Sequence, residues 1–275
     1  MSEKEQVTTE KSSFDVDTTS LGLTILRREK HLAAPVLDKI VKYFESDGSI
    51  LVSSQRFPSI YMAEFANPQE RNDRWDPVVC VNVLCLFYAY GRGHELHQML
   101  KWVQEVLQRK AYLKGSRYYE TPDCFLFFIS RLLTSSGDPD LHAQLKLLLR
   151  ERVQERIGAE GDSLALAMRI LACAAVGIRN EIDFRTLLPL QCNDGGWGVG
   201  WIYKYGPLGV LIGNRGFATA LAIKAVEAMG PLPIALHQSR TSTVETLSKP
   251  KARRMTGGDR YNSVLRNWLR KSVDN

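Results

Sequence analysis

The string Asp15-Val16-Asp17-Thr18-Thr19 sets two carboxylates two residues apart and follows them with two hydroxyls. Three chemistries fit it. As a helix start, Asp and Thr cap free amide groups, and the carboxylates sit where the helix dipole favours negative charge. As a phosphoryl-transfer nucleophile, the first Asp must stand at the end of a buried β-strand. Here the preceding residues, Glu10-Lys11-Ser12-Ser13-Phe14, form no apolar run, and no parallel sheet follows. As a Brønsted acid, one Asp holds and polarises while the other donates a proton, and Thr18 and Thr19 fix the geometry. A carboxylic acid kept protonated in a poorly solvated pocket, or beside a second carboxylate, can protonate an alkene.

A second string, Gln191-Cys192-Asn193-Asp194-Gly195-Gly196-Trp197-Gly198, is a tight Gly-Gly turn carrying a large indole. Its reading from physics alone is a structural staple between two helices. His94 and His97 stand three apart with no third ligand in sight, which marks surface residues and no metal site.

These strings need elements to position them. Asp76-Pro77 has the form of a helix start, a capping carboxylate followed by proline at the first helical position. The run Val78–Tyr90 is apolar almost throughout and stops at Gly91, which predicts a buried helix. His94–Arg109 then places Leu96, Met99, Leu100, Val103, Val106 and Leu107 on one stripe, an amphipathic helix. The pair repeats. Thr121-Pro122-Asp123 opens an apolar helix over Cys124–Leu133, and Asp138-Pro139 opens an amphipathic one with Leu141, Leu145, Leu148, Leu149 and Val153. Asp162 opens a third buried helix (Ser163–Gly177), a short outer segment follows near Ile182–Leu190, and Asn214–Ala228 is a fourth buried helix. No alternating run is long enough to predict a sheet. The class is all-α. Strict alternation of buried and amphipathic helices predicts an inner ring inside an outer ring, an α/α toroid; a helical bundle or solenoid is the alternative.

The chain of 275 residues is 44% hydrophobic, enough for a real core. No apolar span is long enough for a membrane helix, and the polar start Met1–Gln6 has no signal-peptide core. Five cysteines without C-x-x-C spacing predict reduced core thiols and a cytoplasmic protein. From Arg240 to the end there are nine Lys/Arg against three Asp/Glu, as large an excess as the net charge of +6 on the whole chain. The body is therefore close to neutral, with no recognition motif for nucleic acid. The expected organisation is a disordered stretch over 1–13, a helical domain over 14–236 and a basic, disordered tail over 237–275.

Together the two motifs resemble those of class II terpene cyclases, although the Q-x-x-D-G-G-W turn alone also resembles protein prenyltransferase β-subunits. The resemblance is closest to the drimane-type sesquiterpene cyclases of fungi and bacteria. It rests on Phe14–Leu23, Trp75–Leu84, Gly91-Arg92-Gly93, Arg117–Pro122, Asp194-Gly195-Gly196-Trp197 and Gly213-Asn214-Arg215-Gly216, and it covers about residues 14–229. It implies an enzyme acting on farnesyl diphosphate, with Asp17 as general acid and Asp15 as its helper. The product would be a bicyclic drimane with the diphosphate still attached, and Mg²⁺ would be bound through that diphosphate. A separate phosphatase would then remove it, since the family's phosphatase domain is not in this sequence. With 14 residues ahead of Asp15, the expected ring is incomplete or closed by a partner, and a non-catalytic binding toroid is the alternative function.

A cationic cyclisation is best lined by aromatic faces, which stabilise positive charge without attacking it. Trp75, Tyr88, Tyr118, Tyr119, Phe127, Trp197, Trp201 and Tyr203 are the candidates. For the diphosphate, Arg92, Lys114, Arg117, Lys204 and Arg215 lie near loops or helix starts, where anions are favoured. Glu120 and Asp123 could approach the Mg²⁺, although Asp123 is as easily a helix-start charge.

Overall fold

The computed structural model describes residues 16–27, 29–46, 76–205 and 209–230. Asp15, Trp75 and the expected disordered stretches at the two ends lie outside the described residues. Within them are nine α-helices and one two-stranded hairpin, so the fold is all-α in class.

Capping chemistry starts most of the helices where the sequence places it. The Asp76 side chain accepts from the Val78 N–H at 2.8 Å and opens α3 (Pro77–Ala89). Thr121 opens α5 (Pro122–Ser135), Asp138 opens α6 (Pro139–Arg156) and Asp162 opens α7 (Ser163–Ala175). Asn180 and Asn214 do the same for α8 (Glu181–Leu187) and α9 (Arg215–Met229). Each such cap satisfies an amide that the first helical turn leaves unpaired.

The two predicted kinds of helix differ in burial as expected. In α3, α5 and α7 most of the surface is buried, whereas α6 buries Leu141, Leu145, Leu149 and Val153, one side chain per turn. Full burial of each of these four contributes about 1.5–3 kcal/mol. The predicted stripe of α4 (His97–Gln108) and the short turn before it is buried throughout. The apolar helices form an inner row in which α1 (Val16–Leu26), α3, α5, α7 and α9 each pack on the next. Helices α4, α6 and α8 lie behind them as an outer row. Helix α2 (Lys30–Ser46), which the sequence reading does not mark, buries Ala33, Leu37 and Ile40. None of the described helices is long and apolar enough to cross a membrane.

Two features depart from the sequence reading. Gly200–Tyr205 (β1) and Val210–Asn214 (β2) pair antiparallel. The register shifts between Trp201 and Tyr203, a bulge that breaks the period of two by which a strand is recognised. Gly200 packs so closely on Leu164 of α7 that any side chain would collide with it. The second departure is Asp123, which is no metal-facing group. It is fully buried, paired with Arg156 at 3.0 Å and Arg169 at 2.8 Å. Arg169 is buried too and reaches Asp183 of α8 at 2.9 Å. This chain of charges ties α5, α6, α7 and α8 together.

Removing one partner from a buried ion pair strands the other, which costs about 3–5 kcal/mol. Arg169→Leu is therefore expected to lower unfolding free energy by about that amount in urea titrations. A loss below about 1 kcal/mol would show the network to be solvated and weak.

Candidate active site

Asp17 lies in the first turn of α1, which begins at Val16. Its partners come from distant segments. Asn82, in the middle of α3, donates from Nδ2 to Asp17 Oδ1 at 2.7 Å. The Tyr119 hydroxyl donates to Oδ2 at 2.6 Å. Asn82 is buried in an otherwise apolar helix, so its orientation is fixed by packing on every side. Burial and the charge of Asp17 push the Tyr119 phenol well above its ordinary value, so it stays a proton donor at any working pH. Thr18 is exposed and Thr19 half-buried on the same turn.

An aromatic cluster adjoins this carboxyl group. Tyr119 meets Phe128 and Tyr203 edge-on, with ring centroids 5.7 and 6.0 Å apart. Tyr203 stacks parallel on Tyr118 at 5.7 Å, and Phe127 contacts Phe128 edge-on. The hairpin delivers Tyr203: the Lys204 N–H donates to the Tyr118 carbonyl at 2.7 Å, and Tyr119 pairs with Tyr203 as an antiparallel bridge. Trp201, one strand position earlier, is 45% exposed. Trp197 does not line this cluster. It is buried at the Gly-Gly turn and donates from Nε1 to the Leu187 carbonyl at 3.0 Å, the staple that its motif predicts.

The predicted anion-binding residues fall into two groups. Around the aromatic cluster, Arg117 lies over the Tyr118 ring, Lys204 pairs with Glu120 at 3.1 Å, and Lys114 is exposed on the preceding turn. The other two, like Lys204, are engaged by carboxylates. Arg92 binds Glu95 and, at 2.8 Å, Asp38 of α2. Arg215 grips Asp194 through two contacts of 2.6 and 2.7 Å and donates to the Trp197 carbonyl, closing the Gly-Gly turn. Either would have to trade a carboxylate for a diphosphate.

Glu120 does not fit as the seat of a resident Mg²⁺. Its carboxylate carries Lys204, and the described residues hold no group of three or more metal-ligating side chains. An ion arriving on a diphosphate keeps phosphate and water oxygens as ligands and asks little of the protein.

Residues 1–90, which include Asp17, Asp76 and Asn82, match the sesquiterpene cyclase astC-like C-terminal domain family. The chain is 41% identical over 220 residues to drimenol cyclase drtB of Aspergillus calidoustus, a match that covers 80% of this chain. It belongs to the drimane-type sesquiterpene cyclase family. The chain spans 39% of the length of that relative. No solved structure matches it.

Two partners of Asp17 in this cyclase-family chain escaped the sequence reading. Asn82 carried a visible signal, the single amide inside an apolar helix. Tyr119 was named for its ring, while its hydroxyl is what meets Asp17. Cys80, one turn from Asp76, lies in the field of Asp76 and Asp17, and burial and those charges push its thiol well above the ordinary range. Burial pushes Cys85 and Cys173 up to about 12. Only Cys192 is exposed. Maleimide labelling of folded protein should therefore modify Cys192 alone, read by peptide mass spectrometry. Rapid labelling of Cys80 would mean that the region around Asp17 is open to solvent.

Proposed function

We propose that this chain is a class II cyclase domain that converts farnesyl diphosphate to a bicyclic drimane-type diphosphate, with Asp17 as the general acid. The observation that carries the reading is the Asp17 carboxyl group, held by two neutral donors beside an aromatic cluster. The drimane activity in the name of the fungal relative supports the same reading.

Each partner has a task. Protonated Asp17 transfers its proton to the CH carbon of the terminal alkene of the prenyl chain, which leaves a tertiary cation on the dimethyl carbon. Asn82 and Tyr119 spread the charge left on the carboxylate, the place where charge develops in this step. Two alkene attacks close two rings, and loss of a proton to a base ends the reaction, so the product is an isomer of the substrate. Tyr118, Tyr119, Phe127, Phe128 and Tyr203 offer ring faces that stabilise the migrating charge. Because no bond to the diphosphate breaks, the diphosphate leaves with the product, and a separate phosphatase acts afterwards. Arg117, Lys114 and Lys204 supply positive charge on one side of the aromatic cluster, and the substrate brings its own Mg²⁺. In this reading the inner row of helices is part of an α/α toroid with Asp17 at the mouth of its cavity, and Asp15 is the helper of the acid.

Purified protein incubated with farnesyl diphosphate and Mg²⁺, then treated with phosphatase, should yield a bicyclic drimane alcohol by gas chromatography–mass spectrometry. Asp17→Asn should yield none. Tyr119→Phe removes a hydrogen bond to a charged group, about 1.5–3 kcal/mol, and should slow turnover roughly ten- to hundredfold. Farnesol as the sole product of the wild type would assign the chain a binding role or another substrate.

A further inference from the structure

One buried carboxylate has no part in the proposed chemistry, yet it joins both supports of the acid. Asp76 is 4% exposed. Its Oδ1 accepts from the Val78 and Val79 N–H groups at 2.8 and 3.2 Å, which fixes the first turn of α3, the helix that carries Asn82. Its Oδ2 accepts from the Tyr118 N–H at 3.2 Å, and the Ser116 hydroxyl also donates to this carboxylate. Ser116 Oγ in turn accepts from the Tyr119 N–H at 3.0 Å, and the Ser116 N–H donates to the Tyr119 carbonyl at 2.8 Å. The carboxylate therefore reaches Asp17 by two routes, through α3 to Asn82 and through Ser116 to Tyr119.

A helix cap explains only half of this. Capping needs one acceptor oxygen, and Asn, Ser or Thr supplies it equally well. Thr121 does so at the start of α5. Burying a whole carboxylate is costly unless both oxygens are engaged. The second oxygen here is engaged by the segment that presents Tyr119. The charge of Asp76 also adds to the forces that keep the Tyr119 phenol protonated.

We propose that Asp76 is a positioning residue for Asp17, acting through Asn82 and Tyr119 and touching neither substrate nor reacting atoms. The proposal rests on the reading of Asp17 as the acid.

Asp76→Asn separates the two tasks. The Asn carbonyl still caps α3, while the amide turns a donor toward the Tyr118 N–H and the Ser116 hydroxyl. The variant should fold with a melting temperature close to wild type. Its kcat on farnesyl diphosphate should fall roughly tenfold or more, with KM unchanged, because the loss is felt in the transition state. Combined with Tyr119→Phe, the loss should approach that of the more severe single variant, since both remove the same hydrogen bond to Asp17. A crystal structure of Asp76→Asn should show the Tyr119 hydroxyl beyond hydrogen-bonding distance of Asp17. Multiplying losses in the double variant, or an intact Tyr119–Asp17 bond in that structure, would overturn the proposal. Should Asp76→Asn not fold, Ser116→Ala cuts the route to Tyr119 without touching the cap; it should lower kcat in the same way, and wild-type kinetics from it would equally overturn the proposal. If the wild type forms no cyclic product, the acid reading fails separately, and the Tyr119–Asp17 distance in the variant crystals still decides the positioning role.

Discussion

The described fold turns on a carboxyl group whose hydrogen-bond partners lie 65 and 102 residues away along the chain. Asp17 is held by Asn82 and Tyr119, and neither donor is fixed by its own local sequence. Asn82 needs α3 packed between α1 and α5. Tyr119 needs the 116–119 segment gripped by Asp76 on one side and paired with the hairpin on the other. The inner row of helices, the cap of α3 and the β-hairpin thus converge on two oxygen atoms. In the proposed reaction, donors so placed need no reorganisation as charge develops on Asp17.

Buried polar groups elsewhere serve a different end. The Asp123–Arg156–Arg169–Asp183 chain lies between the inner and outer rows and is satisfied within itself and by backbone carbonyls. It fixes how α6 and α8 seat behind α5 and α7. Arg215, Asp194 and Trp197 act similarly at the Gly-Gly turn, where Gly195 takes a φ of +88° that other residues avoid. These charges brace the scaffold, whereas Asp17 is held by neutral donors.

What the sequence made legible follows from how local each signal is. Caps, proline starts and the one-per-turn stripe of α6 are read within a few residues, so Asp76, Thr121, Asp138 and Asp162 stood out together with their helices. The D-x-D-T-T string stood out by type and spacing, and the resemblance supplied the role proposed for it. The partners of Asp17 were not legible, because neither the lone amide of α3 nor the ring of Tyr119 tells which distant residue it meets. Asp123 looked like a helix-start charge, since Arg169 lies 46 residues away. The hairpin stayed hidden because its bulge and its exposed Val210, Leu211 and Ile212 blur the alternation that marks a half-buried strand.

The central claim is that Asp17 begins the reaction by giving a proton to carbon. The most direct measurement is the mass spectrum of the cyclic product formed in D₂O. Asp17 exchanges its proton with solvent, so protonation-initiated cyclisation predicts a product that carries one carbon-bound deuterium from each turnover. A cyclic product with no carbon-bound deuterium would mean that ionisation of the diphosphate starts the reaction, and would contradict the account.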